Sequence, residues 1–214
     1  MGKVVIIDYG ASNTLSVNRA FSYLGANVVV SNDAQNIASA ERLVLPGVGA
    51  FPDSMNRLKA DGLAEVVKHM VSSGKPIIGI CLGMQMLFTK GLEFEVVEGL
   101  GLIDGDVVKI SNKTICNKPL RVPNVGWRSL NKPNADIKWE GTPLEMIDEG
   151  RHVYFVHSYK VAPSDPSNIL AISDYGGQKI PSVIKKDNIF GCQFHPEKSG
   201  PVGLSILEQF LSAH

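Results

Sequence analysis

The chain has 214 residues, 44% of them hydrophobic and 20% charged, and its 21 Lys plus Arg balance 21 Asp plus Glu. That composition excludes intrinsic disorder. The zero formal charge leaves no electrostatic footprint for nucleic acid or an anionic membrane, and the most apolar window, Ile77 to Met84, falls far short of the ~20 residues a membrane-spanning helix needs. The start carries no stretch apolar enough for a signal peptide. Cys81, Cys116 and Cys192 are odd in number and widely spaced, which suits a reducing cytoplasm rather than a disulfide framework. No Cys or His pair has zinc-finger spacing, so no metal and no cofactor are expected. The length predicts one domain over residues 1–214.

In chain order, Val4–Ile7 reads as a buried strand ended by Asp8-Tyr9-Gly10. Ser12 or Asn13 can cap a helix that runs to Leu24, with Gly25 just beyond its end. Val28–Val30 and Leu43–Leu45 are further strands, the latter closed by Pro46-Gly47. Residues 52–72 hold one or two helices, interrupted near Asp61-Gly62. Pro76–Ile80 is a buried strand, and Leu82–Phe88 continues as a helix. Strand and helix alternating in this way predict parallel strands with crossover helices: an α/β fold, a three-layer α/β/α sandwich with a largely parallel central sheet. The second half differs. Val107–Ile110, Val153–Val156 and Leu170–Ile172 are strand-like, while Ser182–Lys185 and Ile189–His195 flank a turn and predict a hairpin. Leu204, Leu207 and Leu211 mark an amphipathic C-terminal helix over 202–211. The stretch 112–150 is the least patterned and predicts long loops.

The strongest chemical signal is Gly79-Ile80-Cys81-Leu82-Gly83-Met84-Gln85. An apolar strand gives way to a helix with Cys81 at the junction and a glycine two residues to either side. This is the cysteine counterpart of the G-x-S-x-G nucleophile elbow. The glycines remove side chains that would clash in a tight turn, and the helix N-terminus favours a thiolate. The amide of Leu82 can help to hold an oxyanion. A lone cysteine between strand and helix is more often a core residue; the paired glycines turn that expectation around. Such a nucleophile needs a base, and Gln193-Phe194-His195-Pro196-Glu197 supplies one. Alternation puts Phe190, Cys192 and Phe194 on one face and His195 on the other, which makes Cys192 a core thiol. Pro196 ends the strand and brings Glu197 to orient the imidazole, completing a Cys-His-Glu triad. His157 is open to two readings, a packed strand residue or a wall of the substrate site. Pro46-Gly47-Val48-Gly49 is an ordinary turn or a source of exposed amides for an oxyanion; no Lys-Ser/Thr follows it, so it is not a phosphate loop.

With these residues assembled, the sequence resembles the class I, or triad, glutamine amidotransferases, whose domain is flavodoxin-like. Pro46-Gly47-Val48-Gly49-Ala50-Phe51, Tyr154-Phe155-Val156-His157-Ser158-Tyr159 and His195-Pro196-Glu197-Lys198-Ser199-Gly200, with the opening I-I-D-Y-G and P-N-V-G-W, narrow the resemblance to the glutaminase subunits of imidazole glycerol phosphate synthase. It spans nearly the whole chain. It implies that Cys81 attacks the amide carbon of L-glutamine, that His195 shuttles the proton and that Glu197 orients it. It also implies that Leu82 and Val48 or Gly49 offer amides to the oxyanion, and that Gln85, Gly47 and the Ser158-Tyr159 backbone hold the substrate. The implied partner is a (β/α)8-barrel cyclase that takes up the ammonia in a heterodimer, with Tyr154 and Lys198 near the interface.

Three positions depart from the family pattern. Ser12 replaces a glycine of the early motif, and Asn124 and Arg128 replace the His and Asn of P-H-M-G-W-N. Neither segment touches the triad. The departures keep open a paralogous glutaminase that feeds another synthase, such as a sugar-amidating one. A stand-alone cysteine hydrolase and an inactive assembly subunit are further alternatives. Gln85 and the P-G-V-G segment weigh against the first, and the complete triad weighs against the second.

Overall fold

The structure, a computed structural model, describes residues 2–10 and 13–212. In chain order its elements are β1 Lys3–Ile7, α1 Thr14–Tyr23, β2 Asn27–Ser31, α2 Ala34–Ala38, β3 Arg42–Gly47, α3 Phe51–Ala60, α4 Leu63–Ser72, β4 Ile77–Cys81 and α5 Leu82–Met86. There follow β5 Phe88–Gly91, β6 Val97–Glu98, β7 Ile103–Lys109, β8 Asn124–Ser129, β9 His152–His157, β10 Tyr159–Pro163, β11 Ile169–Tyr175, β12 Gln178–Lys186, β13 Ile189–Cys192 and α6 Gly200–Ser212.

Seven strands form the central sheet in the order β11-β12-β13-β4-β3-β1-β2. From β13 to β2 every pairing is parallel; β11 and β12 add an antiparallel edge. The period-two alternation of β1, β3 and β4 splits their side chains between two cores. Val5, Ile7, Leu43, Leu45 and Ile77 meet α3 and α4 through Met55, Leu58, Val67 and Met70. Val4, Ile6, Val44, Ile78 and Ile80 meet α1 and α6 through Phe21, Ile206, Leu207 and Phe210. The result is the expected three-layer sandwich. Strands buried on both faces explain why these segments read as continuous apolar runs. A second sheet, β10-β7-β5-β6, closes the α3 side, and β8 and β9 form a separate ribbon. No described helix is long and apolar enough to cross a membrane.

Several elements differ from the sequence expectation, each for a tertiary reason. The helix expected over Leu82–Phe88 stops at Met86. The carbonyl of Leu87 instead accepts from the amides of Leu102 and Ile103, and Phe88 starts β5. Pro46 and Gly47 lie within β3 rather than beyond it. The strand expected to reach His195 ends at Cys192; Gln193 keeps one bond to the carbonyl of Ser182 in β12, and the amide of His195 turns to the carbonyl of Tyr154. The loop region 112–150 contains β8, and the short α2, capped by the Asp33 side chain on the amide of Asn36, was not foreseen. Asn13 occupies the cap position of α1 without a side-chain bond to it; Ser12 lies outside the described residues. Gly25 and Gly62 do have the positive φ that ends one helix and starts the next.

The glycines at the β4–α5 junction are dictated by packing. A Cβ on Gly83 would lie 1.8 Å from the carbonyl oxygen of Leu45 in β3, and one on Gly79 would lie 2.7 Å from the backbone of Met84. A Cβ on Gly47 would meet the amide of Gly83 at 2.7 Å. Backbone atoms cannot move aside as a flexible side chain can. Gly83→Ala is therefore expected to destabilise by about 2–3 kcal/mol, which lowers the melting temperature by roughly 5–10 °C in a chain of this size. An unchanged melting temperature would show that the helix is not clamped to β3.

Candidate active site

Cys81 ends β4 and precedes α5, with φ 55° and ψ −110°. Non-glycine residues occupy such a conformation only when their surroundings enforce it, at a cost of about 1–3 kcal/mol. The enforcement is visible: Gly47 of β3 pairs opposite Cys81, and Gly79 and Gly83 let the helix backbone press against both strands. The turn aims the Cys81 side chain into a cavity of about 360 Å³. Beneath it, the Tyr9 hydroxyl donates to the carbonyl of Pro46 at 2.9 Å.

His195 reaches the same cavity from the far end of β13, which lies beside β4 in the sheet. Its Nδ1 lies 2.8 Å from Oε1 of Glu197, and both side chains are almost wholly buried. Pro196 starts a single 3-10 turn that folds Glu197 back under the ring. The Ser199 hydroxyl ties the turn down, donating to the carbonyl of His195 and accepting from the amide of Tyr154. Burial pushes the imidazole toward neutrality. Its hydrogen bonds to Cys81 and Glu197, and the charges of those partners, outweigh burial and hold the imidazolium up to about 10. The arrangement can therefore carry a proton on His195 beside a nucleophilic sulfur and pass it to a leaving group. Cys192, one strand over, is buried, and burial holds its thiol up, away from reactive chemistry.

Of the other residues singled out in the sequence, Val48, Gly49, Leu82, Gln85, Ser158 and Tyr159 line this cavity. Gly49 has φ +101°, a conformation that turns the Val48-Gly49 segment over the cavity as only glycine does readily. Gly47 is not a wall; it is the contact that lets Leu82 and Gly83 approach β3. Tyr154 and Lys198 lie outside. Tyr154 stacks edge-on against Trp127 at 6.0 Å across the β8–β9 ribbon, and Lys198 is exposed at the end of the 3-10 turn.

His157 proves to be both things the sequence allowed, a packed strand residue and a wall of the cavity. Burial, reinforced by the nearby His195, brings it down to about 4 despite its Nδ1 bond to the carbonyl of Tyr159. Its Nε2 lies 3.0 Å from Nδ2 of Asn124, the residue that departs from the family pattern, so the departure is internal to the fold. Arg128 likewise points away from solvent-facing Trp127: its guanidinium stands 5.1 Å from the centroid of the Tyr175 ring and donates to the carbonyl of Trp127. The sequence reading missed Glu93, which lines the cavity and caps α3 by accepting from the amide of Phe51 at 2.7 Å. It also missed Gln193, which is fully buried beside Cys81. A carboxylate on an irregular segment and a strand-end glutamine carry no pattern of their own. Among the described residues no cluster of three or more His, Cys, Asp or Glu is arranged to hold a metal ion.

The family model described as Glutamine amidotransferase class-I matches residues 5–213. The chain belongs to the class I glutamine amidotransferases. It is 49% identical over 211 residues to the imidazole glycerol phosphate synthase subunit HisH 1 of Legionella pneumophila (strain Lens), covering 99% of both chains. It is 44% identical over 211 residues to subunit HisH of Lactococcus lactis subsp. lactis (strain IL1403), covering 99% of this chain and 98% of that one. A solved glutamine amidotransferase superposes with a TM-score of 0.73 at 16% identity, over 98% of this chain and 97% of the other. PurLQS from Thermotoga maritima superposes with 0.71 at 21% identity, over 99% of each. At those identities the solved structures speak for the fold alone.

The two cavity histidines predict opposite pH behaviour. His157 is neutral when folded, so the stability it contributes is full above its unfolded value of 6.5 and is lost as pH falls through about 4. For His195 the folded value is raised, so its contribution is full below 6.5 and is lost as pH rises through about 10. Imidazole nitrogen NMR between pH 3.5 and 10.5 should find His157 neutral and His195 charged at pH 7. A His157 that titrates near 6.5 would contradict the burial and bonding assigned to it.

Proposed function

We propose that this chain is the glutaminase subunit of an imidazole glycerol phosphate synthase, in histidine biosynthesis, and that Cys81, His195 and Glu197 carry the hydrolysis. The observation that supports it most is the convergence of the elbow cysteine and the Glu197-braced imidazole on one cavity, in a chain nearly half identical to full-length synthase subunits. L-Glutamine has an ammonium and a carboxylate at one end and the reacting carboxamide at the other. The carboxamide is directed at Cys81. Glu93 is the carboxylate that faces the cavity, and it complements the ammonium.

In the first half-reaction the Cys81 thiolate attacks the carboxamide carbon. The amides of Leu82 and of Val48 or Gly49 stabilise the oxygen as its charge grows. His195 gives its proton to the nitrogen, the C–N bond breaks and ammonia leaves, with a glutamyl thioester on Cys81. In the second half-reaction neutral His195 takes a proton from water. The hydroxide attacks the thioester, the C–S bond breaks, and glutamate departs from a restored thiolate–imidazolium pair. Glutamine and water are consumed, and glutamate and ammonia formed. Gln85 and the Ser158-Tyr159 backbone hold the substrate, with Gly47 supporting the wall from behind.

Ammonia released to water is mostly protonated and no longer a nucleophile, so a sealed path to a second active site is chemically useful. The β8–β9 ribbon suits the docking of that partner, a (β/α)8-barrel cyclase in a cytoplasmic heterodimer. One face of the ribbon is buried through Asn124, Val153, Phe155 and His157. The other exposes Val125, Trp127 and Val156, with half-buried Tyr154, and its edge at Val156 is also the wall of the cavity. Exposed aromatics grouped beside an active site are the anchors that interfaces favour. Because Asn124 and Arg128 turn away from this face, their departure from the family pattern leaves docking to the histidine-pathway cyclase intact.

Purified chain mixed with its organism's histidine-pathway cyclase and that enzyme's nucleotide ligand should release glutamate from glutamine far faster than the chain alone. Cys81→Ala should lower that release more than about a thousandfold while the complex still forms. Hydrolysis that survives Cys81→Ala would remove the role given to Cys81. A folded chain that the cyclase does not stimulate would redirect the ammonia to a different synthase.

A further inference from the structure

Two side chains converge on one backbone oxygen. The Tyr159 carbonyl lies 2.8 Å from Nδ1 of His157 and 3.1 Å from Nε2 of Gln85. A carbonyl has lone pairs and no hydrogen, so both partners must present N–H groups. That constraint removes the usual freedom to turn an amide or reassign an imidazole tautomer. Gln85 must point its nitrogen at Tyr159, and the second hydrogen of that nitrogen reaches Oε1 of Gln193 at 3.0 Å. Gln193 therefore has its oxygen toward Gln85 and its nitrogen toward Sγ of Cys81, at 3.9 Å. On the other branch, a neutral His157 with its hydrogen on Nδ1 offers a lone pair at Nε2. Asn124 turns its nitrogen to it, which leaves the buried Oδ1 of Asn124 with no partner among the described residues. One carbonyl thus orders four side chains, and one end of the chain delivers an N–H to the reacting sulfur.

We propose that Gln193 is a further functional residue of the glutaminase site, a fixed hydrogen-bond donor to the Cys81 sulfur whose direction is imposed by the Tyr159 carbonyl through Gln85. The inference rests on the reading of Cys81 as the nucleophile. His195 cannot hold the sulfur throughout the reaction, because it must give its proton to the departing nitrogen. Gln193 donates from a fully buried position and never changes protonation state. A donor to a charged partner in such surroundings is worth more than a neutral bond in water. It keeps the sulfur in line when the thiolate is restored at the end of each turnover. His157 and Asn124 are positioning residues in this scheme, acting through the Tyr159 carbonyl.

The test uses the complex with the cyclase, in a Cys116→Ala background because Cys116 is exposed and would also alkylate, whereas Cys192 is buried. Gln193→Met keeps the bulk and removes both polar groups. Gln193→Glu keeps the acceptor for Gln85 and replaces the donor with a carboxylate oxygen. The readouts are kcat, KM for glutamine, and the rate of Cys81 alkylation by iodoacetamide across pH. Gln193→Met should lower kcat by about 10- to 100-fold with KM changed less than about threefold, and should move the alkylation midpoint up by about one pH unit. Gln193→Glu should move both further in the same direction. The titratable groups already acting on Cys81, namely His195, Tyr9 and Cys192, are retained in both variants; Gln193→Met adds none and Gln193→Glu adds one at position 193 itself, so the shift reports on that position. A folded Gln193→Met with unchanged kcat and midpoint overturns the inference. Where that variant does not fold, an unchanged midpoint in Gln193→Glu overturns it. A parent complex that releases no glutamate, but whose variants still shift the midpoint, would sink the glutaminase reading and leave the donor role standing.

Discussion

The backbone at Cys81 is the constraint from which the site is built. Its φ of 55° would be abandoned by a free chain, and it persists because three glycines allow two strands and a helix to meet closer than side chains permit. Gly83 lies against Leu45, Gly47 against Gly83, and Gly79 against Met84. Release any of these contacts and α5 moves off β3 and β4. The sulfur then loses its aim into the cavity, and the amide of Leu82 loses its place beside it.

The central sheet supplies the rest of the geometry. β3 and β13 flank β4 in parallel, so the Val48-Gly49 turn and the His195 turn emerge at the same carboxyl edge as Cys81. Open parallel sheets place ligands at that edge for the same reason. The amide of His195 then bonds to the carbonyl of Tyr154, which joins the proposed triad to the β8–β9 ribbon. The ribbon's inner face carries His157 into the cavity, and its outer face carries Trp127 to solvent. The cavity wall and the proposed docking face are two sides of one two-stranded element. His157 at the end of the ribbon bonds to the carbonyl of Tyr159, which connects through Gln85 and Gln193 to the sulfur.

The sequence was most legible where chemistry and local geometry coincide. Gly79 has a local cause in the backbone of Met84, as does the proline that separates His195 from Glu197; Gly83 answers to Leu45 of β3, but its spacing from Cys81 is itself the elbow pattern, so both segments could be read without the fold. The parallel core was readable because strands buried on both faces are apolar throughout. Legibility failed where long-range pairing decides. Leu87 and Phe88 extend an apolar helical pattern, but the amides of Leu102 and Ile103 capture the carbonyl of Leu87 and end the helix. Gln193 bonds to Gln85 across 108 residues, and Asn124 to His157 across 33. Glu93 lies on the irregular connection between β5 and β6, and its side chain is placed by a bond to the start of α3, 42 residues away. No periodicity announces such pairs.

The central claim is that the strained junction at Cys81 presents a nucleophile that bonds covalently to the substrate. Acid quenching of the complex during turnover of glutamine, followed by mass spectrometry of its peptides, tests this directly. A glutamyl adduct on the peptide that contains Cys81, absent when glutamine is withheld, is the predicted result. Continued glutamate release with that peptide unmodified, or with the adduct on Cys116 or Cys192, would contradict it.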